Sequence, residues 1–354
     1  MFLFATLFKK ILKKSRPTLK RKKQRERKVS AACSTMAHQQ PAATSNISSS
    51  VPTASQQSIQ EEGKTVIDGR IYHDRQDVAY IMPEDDEDKD RLHQQHWMLR
   101  LAFGGNFDAP VEKELQNGIT VLDSACGPAT WSLEMANAYP HSTFHGVDIA
   151  HQFPEQIKPR NCHFQIANIT ETLPFPDNHF DYIHQRLLVA GLTREGWDKC
   201  LAELYRVLKP GGWIELKELD LQHATTSGGP AQKRLCTVFV DLIKARGIEP
   251  GIVQELPSML EKIMNVRDIH SRTVTTRMLD GTKLGQLAWE DFVSIFEIIK
   301  PLLAKLYPAE FSAEEKLAEY IETVRQEATT AEEEAGAGHW VSIWAQKPTN
   351  AVTA

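Results

Sequence analysis

Val121-Leu-Asp-Ser-Ala-Cys-Gly-Pro-Ala-Thr-Trp131 decides the fold. A short apolar strand ends at Asp123, turns through small residues and enters a helix after Pro128. Strand carboxyl ends and helix N-termini meet at such turns in α/β folds, and there the backbone comes close to a nucleotide-like ligand. Alone the segment is a weak signal. Its weight comes from four segments downstream of it: Gly146-Val-Asp148, Asn168-Ile169, Phe180-Asp-Tyr-Ile-His184 and Lys209-Pro-Gly-Gly212.

Working outward, strands are expected near 119–123, 143–148, 162–167, 180–184 and 213–218, and helices near 128–138 and 195–208. This βα alternation implies a parallel sheet with helices on both faces. Beyond Asp220 the pattern is mostly helical, at about 229–246, 284–306 and 312–330, with strand-like stretches at 268–278 and 339–345. Upstream, the polar stretch 66–116 reads as helical. Acids follow Pro83 as in a helix first turn, Leu92, His96, Leu99 and Phe103 recur at helical spacing, and Gly104-Gly105 stops the run.

The 354-residue chain is long enough for one substantial core plus appendages. Its net charge of −5 hides an asymmetry, for residues 1–30 hold twelve Lys/Arg against Glu26 alone. That +11 leaves −16 for the remainder, so an acidic body repels nucleic acid and no nucleic-acid recognition is expected from it. The basic start, with apolar Phe and Leu before its lysines, admits a mitochondrial presequence, a nuclear-import patch, a peripheral membrane contact or a plain disordered tail. Residues 31–62, rich in Ser, Thr, Ala, Gln and Pro, read as a disordered linker. No apolar run reaches the roughly 20 residues of a membrane span, so no transmembrane segment is expected. Five scattered cysteines without CxxC spacing point away from disulfides and metal, towards a reducing cytoplasmic or nuclear setting.

The chemistry at the first turn is selective. A dinucleotide fold wants G-x-G-x-x-G to cradle a pyrophosphate. Here the matching positions are Ala125, Gly127 and Thr130, with Pro128 removing a donor. That counts against a nicotinamide-dependent oxidoreductase. The acid Asp148, 25 residues after Asp123, can accept both hydroxyls of a ribose or cap the turn before Ile149. Asn168 offers a donor and an acceptor, or else a turn residue.

Together these segments resemble the class I S-adenosylmethionine (SAM) methyltransferases. Gly69-Arg-Ile-Tyr-His73, Tyr80-Ile-Met-Pro83, Phe180-Asp-Tyr-Ile-His-Gln-Arg186 and His339-Trp-Val-Ser-Ile-Trp344 narrow this to the fungal LaeA-like (UMTA-type) family, over about residues 66–347. The resemblance implies an α/β, Rossmann-like, seven-stranded and mostly parallel sheet with helices on both faces plus a helical cap. It divides the chain into a tail and linker (1–62), an N-terminal helical segment closing the cofactor site (63–117), a SAM-binding α/β core (118–220) and a cap with final strands (221–347).

It also implies a cofactor site at Asp123, Ser124, Ala125, Cys126 and Gly127. Asp148 and Ile149 would serve the ribose, Asn168 and Ile169 the adenine, and Gln185 the methionyl part. Arg70 could pair with the methionyl carboxylate and Tyr72 could face the sulfonium. The family usually has glycine where this chain has Ala125 and Ala129, which puts affinity in question. At strand four, His184-Gln185-Arg186 replaces the Pro-Pro-aromatic signature of base methylases, which weighs against nucleic-acid bases as acceptors. The implied function is methyl transfer from SAM to an unidentified small molecule or protein. The alternative is a non-catalytic or weakly catalytic LaeA-like regulator that works through a protein partner. His184, Glu218 and His223 lie at or beyond strand ends, yet no spacing singles out a catalytic residue.

Overall fold

In the computed structural model the described residues are 64–67, 70–73, 80–266, 268–312, 314–330 and 337–349. The tail and linker expected at 1–62 lie outside them. Two short strands open the described part, β1 (Lys64–Ile67) and β2 (Arg70–His73), paired antiparallel with Ile67 opposite Arg70. The helical pattern expected from residue 66 is therefore corrected here to a hairpin. Thr65, Val66, Ile67 and Ile71 are strand formers around Asp68-Gly69, a dipeptide suited to a tight hairpin turn.

Helix α1 (Asp86–Phe103) comes next. Asp85 caps it by accepting from the Asp88 backbone nitrogen, and Asp86, Glu87 and Asp88 place negative charge on its positive end. Gly104, at φ 68°, ends it in the left-handed region that costs glycine least. A short helix, α2 (Glu112–Asn117), leads into the main sheet.

That sheet holds β3 (Thr120–Ser124), β4 (Thr143–Asp148), β5 (Cys162–Ile166), β6 (Phe180–Arg186), β7 (Leu208–Leu219), β8 (Ile269–Arg277) and β9 (Ala337–Gln346). Their spatial order is β5-β4-β3-β6-β7-β9-β8. The first five run parallel, while β9 pairs antiparallel with both β7 and β8. The order reverses between β4 and β6, so β3 marks the switch point where open α/β sheets bind ligands. The expected seven-stranded, mostly parallel sheet is present.

Period-two alternation sorts the strand residues between two faces. Val121, Phe144 and Tyr182 pack with Trp131 and Met135 of α3 (Thr130–Ala138). Leu122, Ile183 and Ile214 pack with Trp197, Leu201 and Leu204 of α4 (Arg194–Val207). The second face is the larger core, and it continues without a break into the cap. The cap comprises α5 (Leu221–Ala224), α6 (Pro230–Lys244), α7 (Ile252–Met264), α8 (Lys283–Leu306), α9 (Pro308–Phe311) and α10 (Glu314–Thr330). Helix α7 was hidden in the sequence by Pro250-Gly251 and by Pro257 inside it. Its apolar face, with Ile252, Val253, Leu256 and Leu260 all buried, overrides the proline.

A buried polar cluster joins the α1–α2 connection to the sheet. Glu215, fully buried in β7, accepts from the backbone nitrogens of Asp108 and Ala109 and from the Tyr182 hydroxyl. Lys217 Nζ lies 3.1 Å from Glu215 and 3.2 Å from Asp108. These bonds fix where α1 leaves the sheet.

Candidate active site

The turn after β3 winds through three residues in the left-handed region, Ala125 (φ 54°), Gly127 (φ 53°) and Ala129 (φ 62°). For alanine that conformation costs on the order of 1–2 kcal/mol, so something must hold the turn. Asp148, at the end of β4, does so. Its Oδ2 accepts from the Gly127 nitrogen at 2.7 Å, and its Oδ1 from the Ala150 nitrogen at 2.8 Å. A carboxylate has about four lone-pair positions and so can accept from several donors at once. A Cβ at Gly127 would meet nothing nearer than Leu92 Cδ1 at 3.8 Å among the described residues, which leaves room beside the backbone. Gly146 is the opposite case. A Cβ there would lie 2.6 Å from the Phe164 ring and 2.9 Å from Cys126 Sγ, so the turn sits tightly on β4 and β5. Burial raises the Cys126 thiol well above its ordinary pKa, which leaves a packing residue rather than a nucleophile.

The structure brings the turn, Asp148, Ile149 and the Asn168-Ile169 pair to one edge, at the carboxyl ends of β3, β4 and β5. Asn168 accepts at Oδ1 from the Thr170 nitrogen and hydroxyl, and donates Nδ2 to Glu171. Ile169 is buried beside it.

Other expected site residues are placed differently. The Asp123 side chain points into the sheet, accepting from the Ser132 hydroxyl at 2.6 Å and lying 3.2 Å from His184 Nδ1. The Ser124 hydroxyl donates to Gln185 Oε1 at 2.8 Å, and the Cys200 thiol donates to the same oxygen. Gln185 is fully buried on the α4 face, where its Oε1 links β3, β6 and α4. Arg70 is ion-paired within the chain. Its Nε and Nη2 bind both oxygens of Asp85, the α1 cap, and its Nη1 lies 3.0 Å from Glu87. The bidentate fork fastens the β1–β2 hairpin to the start of α1. The role expected for the Tyr72 side chain falls outside the described residues.

Helix α1 is the part of the site the sequence under-reported. Leu92 faces Gly127, His93 Nδ1 lies 2.6 Å from the Thr130 hydroxyl, and His96 Nε2 lies 2.7 Å from Glu134. Burial, with help from the Arg186 charge, pulls the His96 pKa down to about 4. The neutral ring therefore donates from Nε2 to Glu134, and its Nδ1 faces Arg186 Nη1 at 3.2 Å. Arg186 thus ties α1 to β6. His184 is fully buried and stacks on Trp131 with centroids 3.9 Å apart, and burial lowers its pKa too. It is an interior ring, not a base facing substrate.

Just before α1, Tyr80 packs beside Gly191, with Asp88, Arg91, Glu84 and Asp148 as its charged neighbours. Burial and those carboxylates push its phenol far above the ordinary range, so it stays a neutral hydrogen-bonding group.

A methyltransferase domain family matches residues 121–212, from the quoted turn to the Pro-Gly-Gly turn. The secondary metabolism regulator LAE1 of Cochliobolus heterostrophus is 32% identical over 157 residues, 44% of this chain and 50% of that protein. The N-methyltransferase verN of Clonostachys rogersoniana is 32% identical over 144 residues, 40% of this chain and 50% of that protein. The chain is thus similar to proteins named secondary metabolism regulators and to proteins named N-methyltransferases, and its residues 121–212 match a methyltransferase domain family. A third relative, methyltransferase str2 of Strobilurus tenacellus, is 27% identical over 199 residues, 56% of this chain and 70% of its own. The chain spans about half the length of LAE1 and of verN. Among the described residues no helix is long and apolar enough to cross a membrane.

Proposed function

We propose that this chain binds SAM at the carboxyl edge of β3, β4 and β5 and transfers its methyl group to a small-molecule or protein acceptor. The observation that carries the reading is the Asp148–Gly127 bond, which sets an acid and an open backbone side by side at the topological switch point. The residues fit the cofactor. Asp148 sets a carboxylate where a ribose would lie, Ala125 to Gly127 let backbone approach the methionyl part, and Asn168 Nδ2 carries a second hydrogen, beyond the one given to Glu171, for an adenine ring nitrogen beside the apolar Ile169. SAM supplies an activated methyl on a sulfonium, so the protein has little covalent chemistry of its own to perform. Its work is to orient, to hold an acceptor in line and to exclude water. Helix α1 covers the turn through Leu92 and His93 and serves that exclusion.

The regulatory reading is favoured by one observation, that several relatives are named secondary metabolism regulators. The regulator acts through a protein partner, with or without the cofactor, and the two readings differ in whether a methyl group is transferred. The relatives named N-methyltransferases favour turnover. We place the chain in the cytoplasm or nucleus, in keeping with four described cysteines that are all buried and free. The test is transfer of radiolabelled methyl from SAM, tracked separately into small-molecule and protein fractions. Label in either fraction supports the enzyme. SAM binding without label in any fraction supports the regulator, and no SAM binding removes the enzyme and leaves the regulator.

A further inference from the structure

A cavity of about 90 Å³ lies beyond the carboxyl end of β7, on the same sheet edge as the cofactor turn. Met98 of α1, Leu221 of α5, Phe239 of α6, Phe292 of α8 and Trp340 of β9 build most of its wall from carbon. Native interiors leave few voids larger than one water, because the lining atoms forfeit their contacts. An engineered apolar cavity of about 150 Å³ stays dry and takes up benzene. By the same physics this smaller space excludes water and has room for an apolar group of about four or five carbons.

The polar residues of that wall are engaged within the chain or carry no charge. The Thr276 hydroxyl accepts from Trp340 Nε1 and donates to the Gly338 carbonyl. Asp291 Oδ2 accepts from Gln95 Nε2, and Arg91 Nη1 lies 3.6 Å from its Oδ1. Burial raises the Asp291 carboxyl pKa, and it pushes the Cys236 thiol up to about 12, so that thiol stays protonated. Gln232 adds a buried, uncharged amide. Among the described residues no free charge therefore faces the space. A charged group entering it would lose its hydration with nothing to replace it.

We propose that this cavity is a binding site for an uncharged small molecule and receives a compact apolar group of it. On the methyltransferase reading above, on which this assignment of role rests, that molecule is the methyl acceptor. Helix α1 relates the two sites. Leu92 faces the cofactor turn and Met98 lines the cavity, about 9 Å further along the helix axis, a span that one small molecule bridges. The acceptor's nucleophilic atom then lies at the turn. Its lone pair forms the bond to the methyl carbon, the C–S electron pair returns to sulfur, and a proton it carried passes to water. A lysine or arginine of a protein acceptor would bring its charge to the same carbon wall, which therefore selects a small molecule over a protein.

The test uses the full chain labelled with carbon-13 at its methionine methyls, since Met98 and Met278 both line the cavity. Isopentane, isobutylamine and isobutyrate, three probes of nearly one shape, are titrated near neutral pH while the methyl resonances are followed. Isopentane should shift the Met98 and Met278 methyls saturably and bind at least about tenfold more tightly than either charged probe. Ala288→Leu, which adds carbon to the cavity wall, should weaken isopentane binding about tenfold. Should that variant fail to fold, the wild-type ranking still decides. No shift at the two methyls, a charged probe bound as tightly as isopentane, or undiminished binding by Ala288→Leu would overturn the proposal. With radiolabelled SAM, label should pass to uncharged, solvent-extractable molecules, and label in the protein fraction would overturn the acceptor role. SAM is titrated in parallel. Isopentane selectivity without SAM binding removes the methyltransferase reading and leaves the apolar site, and SAM binding without selectivity does the reverse.

Discussion

Asp148 Oδ2 accepts the backbone N–H of Gly127 across 2.7 Å, joining the end of β4 to the middle of the turn after β3. That one bond turns three left-handed residues into a fixed surface. Hydrogen bonds to charged groups contribute about 1.5–3 kcal/mol each, enough to offset the strain of an alanine in that conformation. Asp148→Ala also frees the Ala150 nitrogen. It should lower stability by about 2–4 kcal/mol, read as a shift in the urea midpoint with an unchanged slope. A loss under about 0.5 kcal/mol would show that the turn holds itself.

The two alanines of that turn should respond differently to glycine. Ala125 is half-buried, so Ala125→Gly mainly relieves backbone strain and should stabilise by about 1 kcal/mol. Ala129 is fully buried against Cys126 and Phe153. Losing its methyl costs about 0.8 kcal/mol, which cancels most of the relief. Thermal melts of the two variants check this, and equal shifts would contradict it.

Glu215→Ala should be among the most damaging single changes on the sheet. It strands the Asp108 and Ala109 nitrogens and the Tyr182 hydroxyl, and it removes one of two carboxylates beside Lys217. Breaking a buried pair from one side costs about 3–5 kcal/mol. Chemical denaturation measures it, and a loss below about 1 kcal/mol would mean the cluster behaves like a surface pair.

Acid should weaken the fold through neutral histidines that are buried or half-buried. Burial, with the His163 and His179 charges, pulls the His145 pKa down to about 4. Unfolded, the ring protonates near its ordinary value of about 6.5, so below that pH the unfolded chain binds the extra proton. Stability therefore falls as pH drops from about 6.5 towards 4. His96, also near 4, adds a contribution of the same sign. His145→Phe should flatten the fall in melting temperature between pH 7 and pH 5. An unchanged slope would remove His145 from the account.

How much could be read in advance depends on how locally each feature is encoded. The strands β3 to β6 were legible to within a residue or two because buried parallel strands are short apolar runs between turn residues. The Asp148 position was legible because its spacing from Asp123 is set by one βα unit. What the sequence could not show depends on distant partners. Nothing near Arg70 says that Asp85 will take its guanidinium, and nothing near Gln185 says that Ser124 and Cys200 will share its oxygen. Gln95 and Asp291 meet across 196 positions of sequence, so that buried contact had no local signal at all. Helix α1 read as an amphipathic helix, and its reach to both turn and cavity emerged only from packing.

The central claim is tested most directly by calorimetric titration of SAM into the full chain and into Asp148→Ala. The account predicts saturable binding by the wild type. Loss of charged hydrogen bonds worth about 2.7 kcal/mol in the variant would weaken it about a hundredfold. Equal binding by both proteins would place the cofactor elsewhere, and no binding by the wild type would contradict the cofactor site outright.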